Sequence, residues 1–155
     1  MKIQLWTIGK PHDSQTKDAI EDFTRRINHY FPTEWKIIAP NKQHLPPAEA
    51  KKSEATRVLE LLQKDDYLIV LDERGKQISS EGLAELIQAR ANASVKNLIF
   101  FIGGAYGTDM SLLNRAQFKW SLSQLVFPHQ IVRLILAEQV YRACTILRNE
   151  KYHHV

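Results

Sequence analysis

The chain has a single cysteine and no long apolar run. One cysteine excludes a disulfide framework and a cysteine-based metal cluster, and the apolar surroundings of Cys144 predict a small core residue. No apolar stretch approaches the roughly 20 residues that a membrane-spanning helix needs. The apolar start, residues 2–8, is too short for a signal sequence. These absences predict a cytoplasmic protein that is not held in a membrane.

Motifs for common ligands are missing as well. The glycine-bearing segment 103–107 contains neither a G-x-G-x-x-G fingerprint nor the lysine of a P-loop. His12, His29 and His44 lack metal-ligand spacing with any carboxylate or cysteine, so no metal site is predicted. No internal repeat, low-complexity tract or linker divides the sequence, which favours one domain over residues 1–155.

The composition describes an ordinary globular domain. Hydrophobic residues make up 44% and charged residues 25% of 155 residues, enough to bury a core. The net charge of +4 favours a polyanionic partner. Because the basic residues are dispersed, an RNA surface would be assembled by folding, within one subunit or across two; a solvated exterior explains them equally well. They include Lys10, Arg25, Arg26, Lys51, Lys52, Arg74, Lys76 and Lys119.

Strand-like and helix-like segments alternate along the chain. Strands are predicted at residues 3–8, 35–39, 67–71 and 98–102. Helices are predicted from a cap at Asp13 to about residue 30, at 48–63, from a cap at Ser79 or Ser80 to about residue 91, and from Pro128 to residue 147. Residues 72–76 read as a charged turn. This alternation predicts an α/β fold, with a mostly parallel sheet and helices on both faces.

The fourth predicted strand ends in a glycine-bearing loop. Residues 98–102 are a continuous apolar run, typical of a central strand covered on both faces. Ligands of open α/β sheets bind at the carboxyl ends of the strands, and glycine lets the backbone approach them closely. The loop at 103–107 therefore indicates a ligand without a pyrophosphate; an ordinary turn is the alternative reading.

The last helix is apolar nearly all round, so it must be covered on most sides by its own domain or by a second subunit. Three charged residues interrupt it, Arg133, Glu138 and Arg142. Glu138 and Arg142 are four positions apart and suit a simple ion pair. Alternatively, Arg133 or Arg142 points into a site, because burial of charge needs a reason.

Several motifs in this order resemble the bacterial ribosomal RNA large subunit methyltransferase H family, of the SPOUT (α/β-knot) superfamily. They are Gly103-Gly104-x-x-Gly107, Trp120-Ser121-Leu122-Ser123, Phe127-Pro128-His129-Gln130-x-x-Arg133, Glu138-Gln139-x-Tyr141-Arg142-Ala143 and Tyr152-His153. The resemblance covers the whole length, including the first strand and the segment 71–76. It implies a homodimeric enzyme that uses S-adenosylmethionine to methylate N3 of a pseudouridine in large-subunit (23S) ribosomal RNA.

The resemblance also implies a deep trefoil knot in the C-terminal segment, about residues 102–155, with the cofactor bound bent in the knot. The cofactor contacts that it implies are Leu71, Gly103, Leu122, Ser123, Gln124, Leu125, Val126 and Phe127. Backbone groups of an ordered loop and apolar side chains such as Leu122, Leu125 and Phe127 suit an adenine ring. Ser121 and Ser123 suit turn positions as well as they suit ligand contacts.

The implied reaction removes a proton from a ring nitrogen that lies between two carbonyls. An enzyme accelerates it by aligning nitrogen and methyl, accepting the proton and placing donors at the oxygens. The candidate catalytic residues are His129, Arg133, Glu138, Arg142, Tyr152 and His153. We expect an arginine to stabilise charge or position phosphate, and Tyr152 and His153 to reach the target base, in their own site or the partner subunit's.

These candidates have alternatives. His129 suits a helix start, where a neutral imidazole is favoured, and a C-terminal Tyr-His-His-Val is often frayed. The question of which histidine, if either, acts as the base is open at this point. Two other functions are also compatible with the sequence: a knotted methyltransferase with a different target nucleotide, and a non-catalytic ribosome-binding module.

Overall fold

The computed structural model describes residues 1–41 and 43–154. Lys42 and Val155 lie outside the described residues. Val155 is the last residue of the predicted domain and of the predicted knotted segment. The elements in chain order are β1 (Lys2–Ile8), α1 (Lys17–Ile27), β2 (Thr33–Ile38), α2 (Pro47–Leu61), β3 (Tyr67–Lys76), α3 (Ser80–Asn92), β4 (Asn97–Ile102), α4 (Met110–Arg115), β5 (Phe118–Trp120) and α5 (His129–Leu147).

Five strands form one parallel sheet in the order β2-β1-β4-β3-β5. The central strand β4 alternates its side chains between two apolar layers. Phe100 packs with residues of α3 and α5 such as Leu83 and Val140, whereas Phe101 packs with Val58 of α2 and Leu112 of α4. Helices therefore cover both faces, which confirms the predicted α/β fold with a parallel sheet.

Three predicted helix starts can be compared with the observed N-caps. The Ser79 side chain accepts a hydrogen bond from the Gly82 amide at 3.0 Å, as a cap of α3 should. The prediction for Asp13 was wrong: α1 has Thr16 at its N-cap, and the Asp13 carbonyl accepts from the amides of Thr16 and Lys17 in a preceding turn. Pro128, predicted to be the first helical residue, is instead the N-cap of α5, so the helix begins one residue later at His129.

The segment predicted as a charged turn is a strand. β3 continues through residues 72–76 because β5 pairs with it on the far side from β4, with Lys76 opposite Trp120. A Cβ on Gly75 would lie 2.5 Å from the Lys119 carbonyl oxygen, so only glycine permits this close approach. Neither β5 nor α4 was predicted, because three and six residues are too few to show a periodicity.

Helix α5 packs against α1 and α3 on one face of the sheet. Its buried side chains include Leu136, Val140 and Cys144, and the predicted core role of Cys144 is confirmed. Burial raises the pKa of the Cys144 thiol to about 12, so the thiol stays protonated. Among the described residues, none of the helices has both the length and the apolar character to cross a membrane.

Candidate functional site

A cavity of about 660 Å³, which we call the main cavity, opens at the carboxyl ends of β3 and β4. It is lined by Lys51, Leu71, Asp72, Glu73, Arg74, residues 102–108, Trp120, Leu122, Ser123, Leu125, Val126, Phe127 and Val132. Seven of the eight predicted cofactor residues therefore lie at one cavity. Gln124 is the exception, because it is exposed and does not line the wall.

The loop between β5 and α5 is held by its serines. The Ser121 amide donates to the Lys76 carbonyl at 3.0 Å, and the Ser121 hydroxyl donates to the Ser123 carbonyl at 3.0 Å. The Ser123 hydroxyl accepts from the Leu125 amide, also at 3.0 Å. Both serines thus shape a turn. The turn leaves Leu125 69% and Val126 86% exposed, so apolar surface at the cavity remains available for a ligand or a second chain.

The polar side of the main cavity is defined by a forked ion pair. Arg74 Nε lies 2.8 Å from Asp72 Oδ1 and Nη2 lies 2.9 Å from Oδ2. These hydrogen bonds to Arg74 lower the pKa of Asp72, so the carboxylate is ionised and already partnered. Lys51, at the start of α2, adds positive charge to the same cavity wall.

His129, the first residue of α5, joins the helix to two strands. Its Nε2 lies 3.1 Å from the Thr7 hydroxyl of β1 and 3.1 Å from the Gly103 carbonyl oxygen. A carbonyl only accepts, so Nε2 carries the hydrogen. Burial and then the nearby Arg133 charge lower the pKa of His129, which is therefore neutral near pH 7. The ring fixes the carbonyl of a residue that lines the main cavity.

Arg133 is completely buried and does not line the main cavity. Its Nη1 lies 3.1 Å from His12 Nδ1, and its pKa is lowered by burial. Within residues 1–41 and 43–154 its Nε and Nη2 have no hydrogen-bond partner. Of the two arginines predicted to point into a site, Arg133 instead lies behind the N-terminal loop.

A second polar group, which we call the tail cluster, joins the C-terminal half of α5 to α3 and to the residues after α5. It consists of Glu138 and Arg142 on α5, Glu81 on α3, and Tyr152 and His153 in the tail. Glu138 Oε1 accepts from Arg142 Nε at 2.9 Å and from Nη2 at 2.6 Å. The Tyr152 hydroxyl donates to the same oxygen at 3.2 Å. The predicted pairing of Glu138 with Arg142 is confirmed, and four predicted catalytic residues come together.

Arg142 also orders the tail. Its guanidinium carbon lies 4.8 Å from the centre of the Tyr152 ring, and its Nη1 lies 3.2 Å from His153 Nδ1. Because Nη1 can only donate, His153 Nδ1 is the acceptor and His153 Nε2 carries the hydrogen. Nε2 donates to Glu81 Oε1, and the two atoms are 2.6 Å apart. Tyr152 and His153 are therefore packed against α5 and α3 and not frayed.

A family model described as predicted SPOUT methyltransferase matches residues 1–153. The chain belongs to the SPOUT methyltransferase family. Ribosomal RNA large subunit methyltransferase H of Cytophaga hutchinsonii is 44% identical to it over 155 residues, 99% of this chain and 100% of that protein. The protein of the same name from Flavobacterium johnsoniae is 43% identical over 156 residues, 99% of each chain. The resemblance seen in the motifs is confirmed.

Solved structures agree with the SPOUT assignment at the level of the fold. A probable methylase family protein from Haemophilus influenzae has a TM-score of 0.55 and 14% identity, over 99% of this chain and 70% of its own. A tRNA (m1G37) methyltransferase from Aquifex aeolicus has a TM-score of 0.53 and 12% identity, over 92% of this chain and 70% of its own. At these identities the likeness concerns the fold alone.

Three side chains of this SPOUT domain that contact the sites were not singled out from the sequence. Glu81 could have been found from the sequence, because it is an acidic residue in the first turn of α3, the helix that follows the site-forming strand β3. Thr7 lies on β1, 122 positions before its partner His129, and nothing in the sequence pattern joins them. Glu54 lies on α2 and reaches Gly104, a contact that depends on how α2 crosses the sheet.

Proposed function

We propose that this ribosomal RNA methyltransferase uses S-adenosylmethionine to methylate N3 of a pseudouridine in large-subunit ribosomal RNA. The observation that carries the proposal is the position of the motifs that it shares with its family. Leu71, Gly103 and five residues of the segment 122–127 come from three separate places in the chain, and they meet at one cavity of about 660 Å³. Cavities of roughly 300–1,000 Å³ suit a ligand of this size.

The residues present fit the cofactor. Leu122 and Phe127 supply apolar walls for a purine ring, and the turn held by Ser121 and Ser123 keeps its backbone groups in a fixed arrangement. S-adenosylmethionine would supply an activated methyl group on a sulfonium. The protein's task is to bind that group next to the target nitrogen and to exclude water.

We assign different roles to the six predicted catalytic residues. The tail cluster of one subunit would contact RNA bound at its partner's cavities, with Arg142 as the donor to phosphate or to the developing charge on the base oxygens, and with Tyr152 and His153 reaching the base there. Glu138 would hold Arg142 in place. His129 and Arg133 would support the cavity from behind, because both are packed into the domain and neither is aimed at the main cavity.

Positive charge near the main cavity supports an RNA partner. Lys51 and Arg74 line it, and Lys76 and Lys119 are exposed on the adjacent strands β3 and β5. Arg25, by contrast, is exposed on α1 and does not line the main cavity. We infer that the phosphate-binding surface is formed by Lys51, Arg74, Lys76 and Lys119, since sequence-independent affinity for RNA comes largely from contacts between basic side chains and phosphates.

Four broader expectations belong to this proposal. The residues would form a single domain, and the segment from about residue 102 onward would be knotted. The path of that segment supports the knot, because β5 lies beside β3 and α5 then packs on α1 and α3. A homodimer would cover the exposed Leu125, Val126 and Ile131. Action on ribosomal RNA would take place in the cytoplasm, where ribosomes are found.

Transfer of labelled methyl from S-adenosylmethionine to purified ribosomes tests the proposal. The ribosomes would come from a strain without this methyltransferase, with or without pseudouridine at the target. We expect label only on pseudouridylated particles. Label on both kinds of particle would indicate a different target nucleotide. No label together with no thermal stabilisation by saturating cofactor would refute the methyltransferase assignment and favour a ribosome-binding module.

A further inference from the structure

A second cavity, the side cavity, lies against the main cavity and shares residues 104–106 with it. Its volume is about 340 Å³. The rest of its lining includes Ile8 and Gly9 at the end of β1, the His129 ring and Glu54 of α2. Two adjoining cavities at the carboxyl edge of one sheet suit a reaction that brings two molecules together.

The Glu54 carboxylate lies next to Gly104, in the segment that lines both cavities. A Cβ on Gly104 would lie 2.7 Å from Glu54 Oε1 and 2.8 Å from Oε2, so the missing side chain of Gly104 makes room for this carboxylate. Glu54 is half-buried. Across residues 1–41 and 43–154 it forms no hydrogen bond and no ion pair. A half-buried carboxylate in this state is an acceptor ready for a donor from a ligand.

The other carboxylates near the cavities differ from Glu54. Asp72 is held by Arg74, and Glu138 by Arg142 and Tyr152. Glu73, in the main cavity, is exposed to water. Burial raises the pKa of Glu54, with a smaller opposing effect from Arg57. A carboxylate with a raised pKa accepts protons more readily at neutral pH.

We propose that the side cavity receives the target nucleobase and that Glu54 takes the proton from its ring nitrogen. This inference rests on the proposed function. Enzymes that modify a base commonly take it out of its stack into a pocket, and an aromatic side chain often covers its face. Tyr106, on the wall between the cavities and 51% exposed, provides such a face.

The step balances without further reactants. The proton on the ring nitrogen passes to a Glu54 oxygen as the nitrogen lone pair forms a bond to the methyl carbon. The carbon–sulfur bond breaks, its electron pair stays on sulfur, and the positive sulfonium becomes a neutral thioether. Glu54 then releases the proton to water.

Single-turnover methyl transfer by Glu54→Gln tests the inference. Glutamine keeps the shape and hydrogen-bonding capacity of the side chain but cannot take the proton, so we expect the rate at pH 7 to fall by about 100-fold or more. Cofactor affinity, measured by calorimetry, and melting temperature should stay near those of the wild type. Glu60→Gln is the matched control, because Glu60 is exposed on the same helix and lines neither cavity.

A pH profile adds a readout that a structural role would not move. The wild-type single-turnover rate should fall as pH decreases through the Glu54 pKa, and Glu54→Gln should lose this inflection while keeping a low, flat rate. A Glu54→Gln rate within about threefold of wild type would overturn the inference and leave the proposed function intact. A wild-type protein that binds cofactor but labels no RNA would overturn both.

Discussion

The two ends of helix α5 carry polar groups that are built in opposite ways. At the first end, His129 and Arg133 pack into the domain, and their hydrogen-bond partners in the described part of the chain are neutral: Thr7, the Gly103 carbonyl and His12. At the other end, Arg142 pairs with Glu138, and their side chains are 25% and 20% exposed. Burial lowers the pKa of both His129 and Arg133; the Arg133 charge adds to the effect on His129, whereas the Asp13 carboxylate opposes it on Arg133.

This difference indicates that His129 and Arg133 support the fold, whereas the tail cluster recognises the RNA. A fully buried guanidinium cannot meet RNA without rearrangement of the fold, whereas a partly exposed ion pair can exchange one partner for a phosphate or a base oxygen. The first end is therefore expected to govern stability and cavity shape. The tail cluster is expected to govern transfer.

Replacement of Arg142 and of Arg133 by methionine, in separate variants, tests this comparison, and Arg142→Met should have the larger effect. Arg142→Met removes the forked contact to Glu138 and the contacts that order Tyr152 and His153. We expect the single-turnover rate to fall by about 100-fold, as when a charge-stabilising donor is lost. The free energy of unfolding should fall by only about 1 kcal/mol, since the pair is partly exposed.

Arg25→Met is the control for Arg142→Met. Arg25 pairs with Asp22 at 2.6 Å on the surface of α1, so this variant loses an ion pair away from the site. Its transfer rate should match the wild type. If Arg142→Met is poorly folded, or folded and fully active, the tail cluster is structural and the comparison fails.

The next effect is expected at His129. His129→Ala removes the hydrogen bond to the Gly103 carbonyl, which positions a wall of the main cavity. We expect a loss of about 2 kcal/mol of stability, typical of an unsatisfied buried acceptor, and an increase of several-fold in the cofactor Kd. His129→Gln places an N–H near the position of Nε2 and should recover most of the affinity. Equal losses in both variants would show that this hydrogen bond does not shape the site.

Much of the fold followed from local pattern. β4 is a continuous apolar run, and α3 begins at a serine that caps it, so both elements have their cause within a few residues. β5 has no such cause. It is three residues long, and it exists because β3 continues past Leu71 and Gly75 lets the neighbouring backbone approach. Pairing between distant segments decides such elements, and a local pattern carries no trace of it.

The candidate site divides in the same way. Glu138 and Arg142 were predicted to pair because four positions on a helix bring side chains together. His153 and Glu81 are 72 positions apart, and Glu54 meets Gly104 across the cavity wall. These contacts depend on the packing of α3, α5 and α2 on the sheet. For the same reason, the motifs alone indicated Arg133 and Arg142 equally, and only burial separates them.

A smaller effect is expected from Arg133→Met. Within residues 1–41 and 43–154 Arg133 forms no ion pair, and replacement of such a buried charge by an apolar side chain of similar length is often neutral or stabilising. We expect a change of within about 1 kcal/mol in the free energy of unfolding, measured by urea denaturation. Cofactor affinity should remain close to that of the wild type. A loss of about 3 kcal/mol or more would mean that Arg133 finds a counter-charge, for example in a second subunit.

The smallest effect concerns acid stability, and it should come from the first end of α5. Burial and the Arg133 charge hold the pKa of both His12 and His129 below the ordinary value of 6.5. The unfolded chain therefore binds these protons at a higher pH than the folded protein does. Stability should be complete above about pH 6.5 and decrease as pH falls through the folded pKa values, by at most about 1.4 kcal/mol per pH unit for each histidine.

Denaturation curves between pH 5 and 7.5 measure this dependence. His129→Gln has no titratable group at this position, so its stability should decrease less steeply with acid than that of the wild type. Glu54 acts in the opposite direction, because its raised pKa favours the folded state in acid. Identical slopes for His129→Gln and wild type would show that His129 is charged as easily in the folded protein as in the unfolded chain, which the buried contact to Gly103 and the adjacent guanidinium argue against.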